Sequence, residues 1–216
     1  MSLGINSGHI GHETCYGAPT ANMDWMVAMG TVLTVIGYSL HPNEEQSGRL
    51  LHLVARYAEL CERLAAIRKA NPAFKYAADL SQAAKAELGD DFNDINSRYP
   101  NIASTRVMYA LRQNPDHEFA PEGFYMPVDL DEKTISVQIP SRKITEEPVL
   151  HISIGADRDA RVIIRCDYEL RLDDIPAKKA GSARLYYYHH NDTWEVRVTA
   201  NVDEESVARA LEAFGA

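Results

Sequence analysis

His9, His12 and Cys15 bring two imidazoles and a thiol together near the start of the chain, spaced by Ile10-Gly11 and Glu13-Thr14. These are donor types that a zinc ion accepts. A closed site needs a fourth ligand, for which Glu13, His52, His189 and His190 are available, and Gly8 and Gly11 would let the backbone wrap an ion. Cys15 is also a candidate nucleophile, since a thiol beside a histidine base can form its reactive thiolate near neutral pH. A histidine from elsewhere, His151 or His190, would complete either site. The plain alternative is a terminal loop that holds no metal. The expected cofactor is accordingly none, with zinc as the alternative.

A second constellation lies in Arg184–Ala200, where Tyr186, Tyr188 and His190 alternate along one run and Glu195 and Arg197 along the next. Side chains two apart on a strand share a face, so these five residues form one surface if the segment is a β-hairpin. Tyrosine and arginine combine large contact area with directional hydrogen bonds, the chemistry of a protein-binding surface. The adjacent pair His189-His190 points to opposite faces of a regular strand and cannot chelate one ion from there. Asp167 and Glu169, flanked by Arg165 and Arg171, form a carboxylate pair able to do acid–base work only if enclosed. The chain carries no glycine-rich phosphate loop, serine elbow or His-Glu-x-x-His helix.

The hairpin itself is well marked. Asn191-Asp192 tolerates positive φ and separates two runs rich in aromatic and β-branched residues. A two-residue loop would pair His190 with Thr193, His189 with Trp194, Tyr187 with Val196 and Leu185 with Val198. Leu185, Tyr187, His189, Trp194, Val196 and Val198 then face a core. A three-residue loop would turn Tyr186 and Tyr188 inward instead. The first register is preferred because it gives Trp194, Val196 and Val198 apolar partners.

Upstream, the apolar period is helical. Asn43 and Gln46 have capping-box spacing, and Leu50, Leu53, Val54, Tyr57, Leu60, Cys61, Leu64 and Ile67 hold one face until Asn71-Pro72. Trp25–Leu40 is assigned to a preceding helix, although Val32, Val35 and Ile36 leave a strand open. Further helices are expected over about 73–88, stopped by Gly89, and 102–113. After Pro127 the period becomes two. Ile135/Val137/Ile139, Leu150/Ile152/Ile154 and Val162 through Leu172 read as strands, and Asp203 as the cap of a last helix bearing Val207, Leu211 and Phe214.

The expected fold is thus α+β: an N-terminal helical part, then a five-stranded, mainly antiparallel sheet closed by a C-terminal helix. Along the chain this gives a glycine-rich segment at 1–22, a helical region at 23–114 and a sheet with its helix at 128–216, all of which can also form one domain.

With 216 residues, 25% charged and a net charge of -9, the chain disfavours broad binding to nucleic acid or anionic membrane. Three cysteines without framework spacing suit a reducing compartment, and the cytoplasm is the expected location. Trp25–Leu40 is too short to span a membrane. The sequence points first to a non-enzymatic binding or regulatory protein, a subunit or inhibitor that contacts a protein partner or a second copy of itself. A metal-dependent or cysteine-thiol enzyme built on the His9/His12/Cys15 segment is the second possibility.

Overall fold

The computed structural model describes residues 31–119, 125–138, 149–155, 161–165 and 183–203. The first described element is a strand, β1 (Thr31–Leu40). Three helices follow, α1 (Glu44–Ala70), α2 (Ala77–Leu88) and α3 (Tyr99–Gln113). The later strands are β2 (Val128–Leu130), β3 (Ile135–Gln138), β4 (Val149–Ser153), β5 (Arg161–Arg165), β6 (Ala183–Tyr188) and β7 (Thr193–Asp203).

α1 begins as its sequence dictates. The Asn43 side chain accepts the Gln46 N–H at 2.9 Å and the Gln46 side chain accepts the Asn43 N–H at 2.8 Å, closing the capping box. Its buried stripe contains all eight residues expected from the helical period, with Ala65 added. α2 starts later than expected because Asp79 reaches back to accept the N–H groups of Lys75 and Tyr76 at 3.1 and 3.0 Å. Gly89 stops it at φ 52°. α3 starts earlier, at Tyr99, with Pro100 accommodated in its first turn.

The expected architecture needs three corrections. Residues 31–40 are strand, not helix. Five of them, Thr31, Val32, Thr34, Val35 and Ile36, are β-branched, and β7 pairs with all ten in antiparallel register from Thr31↔Asp203 to Leu40↔Trp194. The described strands form two antiparallel sheets rather than one of five: a four-stranded sheet ordered β1-β7-β6-β2 and a three-stranded sheet ordered β3-β4-β5. Finally, Asp203, expected as the cap of a last helix, lies in a strand. It is the last residue of β7, so the last described element is a strand. Residues 204–216, including Val207, Leu211 and Phe214, lie outside the described residues.

The four-stranded sheet positions the site. Tyr38, Leu40, Trp194, Val196, Val198, Ala183, Leu185, Val128 and Leu130 are buried on its inner face and join one apolar cluster with the helices and with Leu150 and Ile152 of β4. Val35, Gly37 and Ser39 of β1, Glu195, Arg197 and Thr199 of β7, and Arg184, Tyr186 and Tyr188 of β6 remain at least partly exposed on the outer face. The two sheets are linked through Asp131–Thr134, where the Asp131 carboxylate accepts the N–H groups of Lys133 and Thr134 and pairs with Arg98 at 2.6 Å. Tyr99 of α3 donates its hydroxyl to the Ser153 carbonyl at 2.9 Å, fastening the helix to β4. No described helix is long and apolar enough to cross a membrane.

Candidate functional site on the outer sheet face

The β6–β7 turn spans four residues, His189 to Asp192, with Asp192 at φ 52° and the Asn191 N–H donating to the Tyr188 carbonyl. The observed register is Tyr188↔Thr193, Tyr187↔Trp194, Tyr186↔Glu195 and Leu185↔Val196. This differs by two residues from the expected two-residue loop. A shift of two preserves the pleat, so every assignment of a described hairpin strand residue to a face stands although the pairs change. Tyr187, not His189, packs on Trp194, with ring centroids 4.6 Å apart. His189 is exposed at the tip and tilts toward Tyr125.

Tyr186, Tyr188, Glu195 and Arg197 interlock on the outer face. The two tyrosine rings are nearly parallel, 9° apart with centroids at 6.2 Å. The Arg197 guanidinium lies 4.7 Å over the Tyr186 ring, a cation–π contact. It also donates from Nε to Glu195 at 3.1 Å and from a terminal nitrogen to the Tyr188 hydroxyl at 2.9 Å. That hydroxyl in turn donates to the other Glu195 oxygen at 2.9 Å. His190 is exposed beyond the array and meets the Tyr188 ring edge-on at 6.3 Å.

Burial, then the hydrogen bond to the Glu195 carboxylate, push the Tyr188 phenol up to about 12. The fold therefore favours the neutral phenol. Its contribution to stability is full below the ordinary value of 10 and is lost as pH rises through about 12.

Gly37 makes this arrangement possible. It sits opposite Arg197 in the β1–β7 ladder, and a Cβ there would come within 2.3 Å of the Glu195 carboxylate. The missing side chain is the space in which that carboxylate lies. In Gly37→Ala the flexible Glu195 side chain swings away at small steric cost, and its bonds to Tyr188 and Arg197 break. We expect a folded protein whose Tyr188 phenol titrates closer to 10, read from ring carbon shifts against pH. A Tyr188 value unchanged from wild type would contradict the packing.

At the end of the face, a cleft of about 980 Å³ opens between the hairpin and the start of α1. The Trp194 indole donates to the Ser47 hydroxyl at 3.1 Å across its floor. At the opposite edge of the sheet, Asp129 of β2, only 4% exposed, takes Arg184 Nε at 2.8 Å and an Arg106 terminal nitrogen at 3.0 Å on one carboxylate oxygen.

His9, His12, Glu13 and Cys15 lie outside the described residues, as do Cys166, Asp167 and Glu169. Among the described residues no group of three or more His, Cys, Asp or Glu could hold a metal ion. His52, offered above as a fourth ligand, instead pairs with Asp94 at 2.8 Å. Burial acts to raise the Asp94 pKa, but hydrogen bonds from Arg56 and His52 outweigh it and hold the carboxyl below its usual value. Cys61 is buried and unbridged, and burial pushes its thiol far up, which makes it inert. Comparison with family models finds no match to the chain, and comparison with curated proteins finds none either.

Proposed function

We propose that the chain is a non-enzymatic binding protein, a subunit or inhibitor, which docks a protein partner on the outer face of the β1-β7-β6-β2 sheet. The observation that carries this is the interlocked Tyr186–Tyr188–Glu195–Arg197 array. Tyr188, Glu195 and the guanidinium are held by mutual hydrogen bonds, and the Tyr186 ring by the guanidinium over it, before any partner arrives, so little side-chain entropy remains to be lost on docking. Rigid tyrosines beside an arginine are the composition of binding hot spots. A net charge of -9 favours a protein over a nucleic acid as the occupant, although stacked rings suit bases as well. The cysteine usage fits a reducing compartment such as the cytoplasm.

Tyr186→Ala and Arg197→Ala test the proposal. Each should lose the proteins retained by the immobilised full chain, or lose its self-association in sedimentation, while keeping a cooperative melting transition. Retention of every partner and of the native oligomer by both variants rules this face out, and nuclease-sensitive capture would make the occupant a nucleic acid instead.

A further inference from the structure

Among the described strands, β1 and β2 are the two ends of the order β1-β7-β6-β2, and they are finished differently. β2 has three residues, all buried. β1 runs for ten residues without a charge or a proline, and its register with β7 is unbroken by any bulge. Edge strands are ordinarily blunted by shortness, lysine, proline or a bulge, because a bare row of N–H and C=O groups templates another strand. β1 carries none of these devices. Its residues also meet solvent. Val35 is 52% exposed although hydrophobic, and Gly37 and Ser39 are exposed as well. A glycine has little but main chain to expose, and the Glu195 side chain already lies over the outer face of Gly37. The exposure at Gly37 is therefore that of peptide groups along the side of the strand away from β7.

We propose that this edge pairs with β1 of a second copy of the chain, antiparallel across a two-fold axis, so that two four-stranded sheets join into one. Charge selects that occupant. The net charge of -9 sets copies of the chain against one another over most of their surface, and β1 is a strip on which they can meet with no like charges opposed. Glu195, opposite Ser39 on the next strand, is already paired with Arg197. A two-fold axis also sets each residue of the strand against another residue of the same strand. Centred on Ile36, it places Val35 of each copy beside Gly37 of the other and keeps Tyr38 and Leu40 on the inner face of both sheets. Val35 then covers the bare glycine. The contact is separate from the Tyr186–Tyr188–Glu195–Arg197 array, which lies on β6 and β7, inward of the seam.

One strand seam is smaller than a standard interface, so sedimentation velocity over about 5–500 μM should show monomer giving way to dimer. Val35→Lys sets a cation on each side of the seam and should weaken the dimer about tenfold or more. Val35→Thr, β-branched and uncharged, should change its affinity by no more than about twofold. Position 35 is half exposed, so both variants should keep a cooperative melting transition. Hydrogen exchange gives an independent reading in the wild-type chain, where amides within residues 35–39 should slow as concentration rises.

A chain that stays monomeric throughout, a dimer that V35K leaves intact, or exchange at residues 35–39 that ignores concentration would each overturn the inference. A dimer lost in Tyr186→Ala and Arg197→Ala but kept in V35K would also overturn it, and would place the second copy on the outer face. A dimer lost in V35K but kept in those two variants supports the edge contact and leaves the sheet-face role to be judged on captured partners alone.

Discussion

Asp129→Ala is expected to destabilise the fold by about 3 kcal/mol, the low end of the range for breaking a buried ion pair. The Asp129 side chain is 6% exposed and the guanidiniums of Arg106 and Arg184 are 21% and 27% exposed, so water screens this cluster poorly. Burial acts to lower the Arg106 pKa, yet the charge of Asp129 holds it above its ordinary value, so Arg106 stays charged and depends on that carboxylate. Without it, Arg106 keeps the Pro127 carbonyl at 3.1 Å, which satisfies one N–H but does not neutralise the charge. Urea unfolding measures the loss. A triple variant, Arg106→Leu with Asp129→Leu and Arg184→Leu, should recover much of it, because removing all three charges also removes the desolvation cost. Stability of Asp129→Ala within about 0.5 kcal/mol of wild type, the scatter of ordinary surface changes, would show that the cluster is not coupled as described.

Trp194→Ala should cost about 4 kcal/mol, in the range for deleting a buried aromatic side chain. Trp194 is 2% exposed, lies opposite Leu40 in the β1–β7 ladder, packs on Tyr187 and bonds Ser47. It therefore joins β1, the hairpin and α1 at one point. Ser47→Ala removes only the hydrogen bond and should cost about 1 kcal/mol. Thermal melts of the two variants separate packing from bonding. Similar losses in both would mean that the indole N–H, rather than the ring, carries the contact.

Local signals in the sequence were legible and distant ones were not. The start of α1 depends on residues three apart, and its capping box formed as expected. Gly89 likewise stopped α2. The hairpin faces could be read because alternation survives a register shift of two, but the loop length could not, since Asn191-Asp192 also fits a four-residue turn with only Asp192 at positive φ. β1 was misassigned because its ten residues carry no charge to mark a face and its partner lies at the far end of the described chain. That error concealed Gly37, whose signal was a glycine inside a β-branched run. Four of the five expected surface residues interlock, with His190 at their margin. Asp129 meets Arg184 across 55 residues and gives no local sign of it.

The pairing of β1 with β7 also sets an order of events during synthesis. Ser47, just beyond β1, meets Trp194 across 147 residues, so on the ribosome β1 emerges long before the strand that completes it. At roughly 5–20 residues per second, that strand waits on the order of ten seconds, presenting ten uncharged residues with neither edge joined to β7. The helices can form meanwhile from their own nearby contacts. Nascent chains are thus most exposed to aggregation, and most in need of a chaperone, in the interval before the hairpin leaves the exit tunnel.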